Sequence, residues 1–554
     1  MRIALLVCLA VCAAVGHEDA AAQPVGVNAD SLEAMVRFLS VDPATHALRS
    51  RFVLREKDIG TVADSLAARL ERYTGNPVDR IPFLVHDHVY SNDSTFTAEN
   101  IVARLRGTGA LSGVFLVTAH YDAIAARMSS FLRDWRTMGA PGADDNATGA
   151  AAVMELARSL PRGAFPFDVL FVLFSGEELG KLGSADFVSR FDSLYGEEIL
   201  GVINFDMLGY HPAQPAAGAS SPVLLTDYRS GWLADMIAAL ARGSAHAVSF
   251  RVAKPGPSNY DSGSFWDREI PAVTITEPLT QDNFIVYPFM HTTADTISAN
   301  FDFGFASTLA DAAGDFIAQV AASPADIAVL PSDLMLLADT LLTGVRTFAV
   351  GDSIGVLVRV RNTGSLPASP NASIRLTVSI ENAAGERVLF SGGVPAPEPL
   401  ETSNKILRLS LGGAYVGGDI VRARVDVEGM SDHADDDAAT LSFGVRGPGA
   451  TLVGHGFRPN PVDRAFRSAQ FCINLTRAAD VEIDLYSVEG ERIAVGYAGS
   501  RWGKPLDAGL NCLSCGALFP AIDRLASGVY LYRLTIFDAD GSTMHAAGSF
   551  AVAH

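Results

Sequence analysis

Cysteine is scarce in this 554-residue chain, and that excludes a fold built on disulfides. Two of the five cysteines, Cys8 and Cys12, fall in the first 22 residues. Cys472, Cys512 and Cys515 remain, enough for one disulfide and one leftover thiol. Cys512-Leu513-Ser514-Cys515 has metal or redox spacing but lacks a second pair, so a structural disulfide is the preferred reading. Basic charge is also short, at 42 Lys and Arg against 62 Asp and Glu, a net charge of −20. That argues against nucleic acid or an anionic membrane surface as partner, since both need a basic face. Beyond the N-terminus no apolar run approaches the ~20 residues of a membrane helix. Tandem repeats and low-complexity tracts are absent. Hydrophobic content of 49% with 19% charged residues excludes disorder, and the length calls for several domains.

The N-terminus reads as a secretory signal over 1–22. Arg2 is the basic region, Ile3 to Gly16 the apolar one, and Ala20-Ala21-Ala22 the cleavage site. Leu9-Ala10-Val11-Cys12 approaches a lipoprotein box, but Val before the Cys fits it poorly. The expected setting is secreted, periplasmic or cell-surface.

From about residue 29 to 322, strand-like runs alternate with helical periods. The clearest are strands Gly113 to Ala119, Asp168 to Phe174, Ile199 to Phe205 and Ile270 to Thr276. Helices Thr148 to Leu160, Lys181 to Phe191, Gly231 to Arg242 and Phe303 to Ala321 lie among and after them. The alternation predicts an α/β domain, a mostly parallel mixed sheet with helices on both faces. After Ser323-Pro324 the texture changes to short alternating segments separated by turn residues. This predicts two β-sandwiches, 326–446 and 451–554, joined at Gly447-Pro448-Gly449.

The chemistry gathers at the ends of the predicted parallel strands. One strand ends in His120-Tyr121-Asp122, the next in Ser175-Gly176-Glu177-Glu178, and a third in Asp206. Gly142-Ala143-Asp144-Asp145-Asn146-Ala147-Thr148-Gly149 opens the Ala-rich helix, and a later loop carries His291-Thr292. Open parallel sheets bind ligands at this edge. Two adjacent carboxylates at a buried strand exit repel each other unless a cation sits there. Imidazoles and carboxylates together suit zinc, and a carboxylate can bridge two ions. Asp122, two residues after His120, is spaced to accept that imidazole's other N–H.

These motifs, in this order, resemble the co-catalytic zinc aminopeptidases and their glutamate-carboxypeptidase and glutaminyl-cyclase relatives, over about residues 29 to 322. The resemblance implies a phosphorylase/hydrolase-like zinc-peptidase fold and two zinc ions per chain. It implies His120 and Asp206 on one zinc, Glu178 and His291 on the other, and Asp145 bridging. Register decides for Asp145 over Asp144, because the bridging residue stands four before the Gly of Ala-Thr-Gly. Glu177 is implied as general base and Asp122 as the residue orienting His120. Asn146 follows the bridging residue, where such enzymes often have a cis peptide. The implied activity is removal of N-terminal residues from peptides or proteins. A carboxypeptidase with a cationic clamp (Arg251, Lys254 or Arg268) and a single-zinc glutaminyl cyclase are the alternatives within the fold. A catalytically dead surface-binding protein is the alternative outside it. Ser262 stands where many relatives carry His, which bears on specificity.

Other features read more plainly. Tyr260 is a candidate oxyanion donor, with a core or rim tyrosine preferred. His86 and His88 share a strand face but have no evident third ligand. Asp432 to Asp437 reads as a solvated hairpin, and Asp538-Ala539-Asp540-Gly541 as a hairpin turn rather than a calcium loop. Phe348 to Ser353 with Val360 to Gly364 resembles bacterial adhesion-type immunoglobulin-like domains. Pro459-Asn460-Pro461 with Leu525 to Tyr532 resembles secretion-sorting or hook-capping modules. These resemblances imply contact with a cell surface or secretion machinery.

Overall fold

The computed structural model describes residues 26–214, 219–243, 248–322 and, with short breaks, most of 327–552. The expected signal (1–22), the Gly447-Pro448-Gly449 linker and the two acidic stretches at 432–437 and 538–541 lie outside the described residues.

The first unit is an eight-stranded sheet. In chain order its elements are α1 (Ala29–Ser40), α2 (Glu56–Thr74), β1 (Val78–Asp87), β2 (Ser94–Leu105), β3 (Val114–His120), the one-turn α3 (Phe131–Asp134) and α4 (Gly149–Ser159). They continue with β4 (Asp168–Phe174), α5 (Leu182–Leu194), β5 (Ile199–Phe205), β6 (Val223–Thr226), α6 (Gly231–Gly243), β7 (Arg251–Ala253), α7 (Ser262–Trp266), β8 (Ala272–Thr276) and α8 (Phe303–Ala322). The strand order is β1-β2-β4-β3-β5-β8-β6-β7. β4, β3, β5 and β8 run parallel, while β1, β2 and the β6–β8 pairing are antiparallel.

This order positions the site. β3 is central and every one of its residues is buried, so it reads as a continuous apolar run. The chain steps from β3 to β4 on one side, then crosses back to β5 on the other. Right-handed crossovers then require α4 and α5 to lie on opposite faces. The packing agrees: α4 joins the large core with α1, α2, α6 and α8, while Phe187, Val188 and Phe191 of α5 pack in a second core with Phe265 of α7. The reversal opens a crevice at the carboxyl ends of β3, β4 and β5.

The remaining strands form four antiparallel-dominated sheets in two pairs. Strands Leu334–Ala338, Ser353–Asn362 and Thr402–Ser410 neighbour one another in one sheet, and Ile374–Asn382, Gly385–Val394, Ile420–Glu428 and Ala438–Arg446 lie in its companion. Alternate residues Ile354, Val356, Val358 and Val360 meet Leu376, Val378 and Phe443 in a shared core. The C-terminal pair packs Phe457, Phe471, Leu534 and Phe550 in the same manner. Cys472 and Cys512 face each other across strands Gln470–Leu475 and Gly509–Ser514 and form the disulfide. Cys515 is left as a fully buried thiol whose pKa burial pushes up to about 12.

The disulfide closes a sequence separation of 40 residues. Replacing Cys472 and Cys512 by Ala should lower the stability of this module by about 2–4 kcal/mol in denaturant unfolding. A thiol reagent should find no reactive cysteine in folded protein lacking residues 1–22, and one after denaturation without reductant. A rapidly labelled thiol before denaturation contradicts the assignment.

Candidate metal centre

Each candidate ligand stands at the exit of a parallel strand or in a loop folded over it. His120 is the last residue of β3, Glu177 and Glu178 form a short turn just past β4, and Asp206 follows β5. Ala143–Thr148 leads into α4 across a kink at Asp145 and Asn146, and the Asp145–Asn146 peptide bond is cis. Asn146 fastens this kink to β5: its Nδ2 donates to Phe205 O at 2.8 Å, and its Oδ1 accepts from the N–H of Gly149 and Met207. Gly149 must be glycine, because a Cβ there would stand 2.3 Å from Asn146 Oδ1 and 2.6 Å from Phe205 O. His291 reaches the edge from the loop before α8, with a left-handed backbone at φ 58°.

The side chains converge around Asp145. Its Oδ1 lies 3.4 Å from His120 Nε2 and its Oδ2 lies 3.0 Å from His291 Nε2. Asp206 Oδ2 is 3.5 Å from the same His120 nitrogen, and Glu178 Oε2 is 2.9 Å from the same His291 nitrogen. Glu177 Oε2 stands further back, 4.0 Å from His120 Nε2. His120, Asp145 and Glu178 each offer a ligand atom within 4.8 Å of the others. Asp144 turns away: its Oδ1 accepts from Gly209 N at 2.8 Å, and it faces Glu277 rather than a histidine.

Asp122 lies beneath the pair of glutamates. Its two oxygens accept the backbone N–H of Glu177 (3.2 Å) and Glu178 (3.3 Å), and Oδ1 lies 3.6 Å from His120 Nδ1. His120 Nδ1 is in hydrogen-bond range of the Asp122 backbone carbonyl at 3.3 Å, so Asp122 sets the ring through its main chain and the turn carrying both glutamates through its carboxylate.

The electrostatics favour a cation. Burial pushes the Glu178 carboxyl up to about 7, with Asp145 adding repulsion. Burial also raises Glu177 and Asp206. Asp145 goes the other way: burial would raise it, but hydrogen bonds from His120 and His291 hold it below the usual range. His291 rises to about 11 against the cost of burial, held by Glu178 and Asp145. Glu178 Oε1 is buried without a hydrogen-bond partner. Two imidazoles, four carboxylates and an orphaned carboxylate oxygen at one buried point match the donors of a metal site.

Residues 100–317 match the family model described as peptidase family M28. This stretch is similar to an M28 peptidase domain and is called the M28 domain below. A probable zinc metalloprotease of Leptosphaeria maculans is 28% identical over 197 residues, covering 35% of this chain and 44% of that protein. A probable aminopeptidase of Saccharomyces cerevisiae is 27% identical over 244 residues, covering 42% and 60%. The chain therefore spans less than two thirds of these relatives' own length. The LapA aminopeptidase structure from Legionella pneumophila aligns at 21% identity and TM-score 0.42, covering 54% of this chain and 73% of that one.

The M28 domain depends on residues that no motif announced. Asp295 accepts the N–H of Asp144 (2.8 Å) and Asp145 (3.2 Å) and the hydroxyl of Tyr287 (2.9 Å). Arg51, wholly buried, donates to Tyr121 O (2.7 Å), Leu39 O (3.0 Å) and Gly142 O (2.8 Å), and also to Pro141 O. It ties the end of β3 to the loop carrying Asp145. Most other candidates stand apart from the site, whereas the Tyr260 hydroxyl lies near enough to feel its carboxylates. His86 and His88 are exposed and bind Thr95 and Asp93 separately. The Ser262 hydroxyl accepts from Thr274 Oγ1 at 2.8 Å. Arg251 is engaged by Asn283 and Thr280, and Arg268 is exposed. Tyr260 packs with Val223, Leu225 and Leu279, and burial and the charge of Asp206 raise its hydroxyl well above the ordinary range.

Asp295→Ala should strand two buried N–H groups, at about 1–3 kcal/mol each. It should weaken metal binding by about 10–100-fold in a chelator competition. Unchanged affinity contradicts the positioning role. Without metal the cluster holds protons on His291 and Glu178, and a metal must displace them. Metal affinity should therefore climb as pH rises from 6 to 9, and a flat profile contradicts the protonated cluster.

Proposed function

We propose that this chain is an exported aminopeptidase that holds two zinc ions and hydrolyses the first peptide bond of peptides or proteins. The observation that carries the reading is the single carboxylate of Asp145 lying between two histidines, with Asp206 beside one and Glu178 beside the other. On this reading His120 and Asp206 hold one zinc, Glu178 and His291 the other, and Asp145 both. Bound there, the two ions supply Lewis acidity for the scissile carbonyl and bring the pKa of a water toward neutrality.

The chain's own groups do the rest. Glu177 takes a proton from the attacking water and returns it to the departing amine. Asp122 fixes the turn that separates the roles of the two glutamates: Glu178 turns to His291, and Glu177 to the His120 side.

Substrate direction follows from what is free to bind it. Arg251 is held by Asn283 and Thr280, Lys254 is engaged and lies by Asp235, and Arg268 is exposed, so no candidate clamp is free at the site, which disfavours a carboxypeptidase. The Asp144-to-Gly149 segment and both histidines are present, which disfavours a one-zinc cyclase and a dead relative. Export rests on residues 1–22, and the two β-sandwiches are the parts that would contact a cell surface or secretion machinery.

Glu177→Gln should keep the zinc and lose about 10²–10⁴ in kcat with little change in KM. A variant as active as the parent would remove Glu177 as base. Chelation should abolish, and zinc restore, cleavage of aminoacyl anilides. N-acetylated and carboxy-terminal substrates should not be turned over, and N-terminal glutaminyl substrates should not be cyclised. Indifference to the chelator would sink the reading.

A further inference from the structure

The first β-sandwich meets the M28 domain beside α6. Arg361 of strand Ser353–Asn362 lies 4.6 Å over the Trp232 ring and pairs with Asp333 at 2.7 Å. A cleft of ≈ 330 Å³ opens here, lined among others by Arg229, Trp232, Arg359, Arg361, Leu400 and Glu401. That volume lies at the small end of the roughly 300–1,000 Å³ range of ligand sites.

The charges in this cleft are matched unevenly. Arg361 has Asp333, and Arg229 has Glu269 at 2.5 Å. Arg359 shares a face with Arg361, two residues along the same strand, because side chains alternate. The opposite face, Ile354 to Val360, is the sandwich core. Among the described residues the Arg359 side chain has no hydrogen-bond or ion-pair partner, and neither does that of Glu401. Burial works most strongly against the Arg359 guanidinium, the like charges of Arg361 and Arg229 add to it, and Asp333 and Asp227, outside ion-pair distance, offset only part of it. A partly desolvated guanidinium with no carboxylate in direct contact is costly, and Glu401 stands exposed at the rim of the same cleft. Here two opposite charges line one cleft, and neither pairs with the other or with a neighbour.

We infer that this cleft binds a small zwitterion, a free α-amino acid or short peptide, with its carboxylate on Arg359, its ammonium on Glu401 and its side chain against Leu400. A guanidinium reads a carboxylate through paired N–H donors, and a carboxylate reads an ammonium as a point charge. The site joins groups from both domains: Arg229 comes from the M28 domain, and Arg359 and Glu401 from the sandwich. It stands without the peptidase reading. Where that reading holds, the ligand class is that of the released product.

The test is backbone hydrogen exchange of the full zinc-loaded chain with leucine, leucinamide, N-acetylleucine and inorganic phosphate. Leucine should slow exchange across Ser353–Asn362. The amide, the N-acetyl compound and phosphate should each require at least tenfold more ligand for the same protection. Arg359→Gln and Glu401→Gln should lose the leucine effect and keep turnover. The inference is overturned if leucine does not protect this strand. It is equally overturned if phosphate protects as well as leucine, or if Arg359→Gln is protected like the parent chain. The four ligands on the unaltered chain decide the matter even where a variant misfolds.

Discussion

Carboxylates crowded at one sheet edge repel each other, and much of the M28 domain is arranged to hold them together. Asp145 is the pivot, with one oxygen toward each of the two histidines. The fixed supports lie one layer further out. Asp122 receives two backbone N–H groups from the glutamate turn, Asp295 receives two from the Asp144–Asp145 segment, and Arg51 ties that segment to the end of β3. Backbone donors hold these groups in place while their side chains stay aimed at a common point. Such pre-set geometry lets a site act without reorganising at the moment of reaction.

The topology explains why so much of this was legible in the sequence. Parallel strands share one carboxyl edge, so residues ending β3, β4 and β5 must meet wherever the runs before them are strands. The apolar runs 114–119, 168–174 and 199–205 made those strands readable, and the ordered motifs then pointed to His120, Glu177, Glu178 and Asp206. Arg51 and Asp295 were not readable for a physical reason. Their partners are backbone atoms 91 and 151 residues away, and no spacing in the sequence encodes such a contact. Asp295, four residues after His291 in the same loop, was the only hint. The orientation of Asp144 toward Glu277 is likewise a tertiary fact.

Among the β-sandwiches, large alternating side chains, as in Ser353–Asn362 and Gly528–Phe537, carry a strand signal in the sequence. Leu452–Arg458 and Ala438–Arg446 were hidden by glycine and alanine, which carry little pattern. Gly509–Ser514 is partly exposed on both faces, so it lacks the buried alternation that marks a half-buried strand. The disulfide pairing came from strand register, which three cysteines alone left open.

A zinc titration of the chelated protein reads whether one carboxylate, Asp145, holds two metal ions. The unaltered protein should take up two equivalents per chain, and Asp145→Ala should lose both together. One equivalent in the unaltered chain, or two retained by Asp145→Ala, would contradict it.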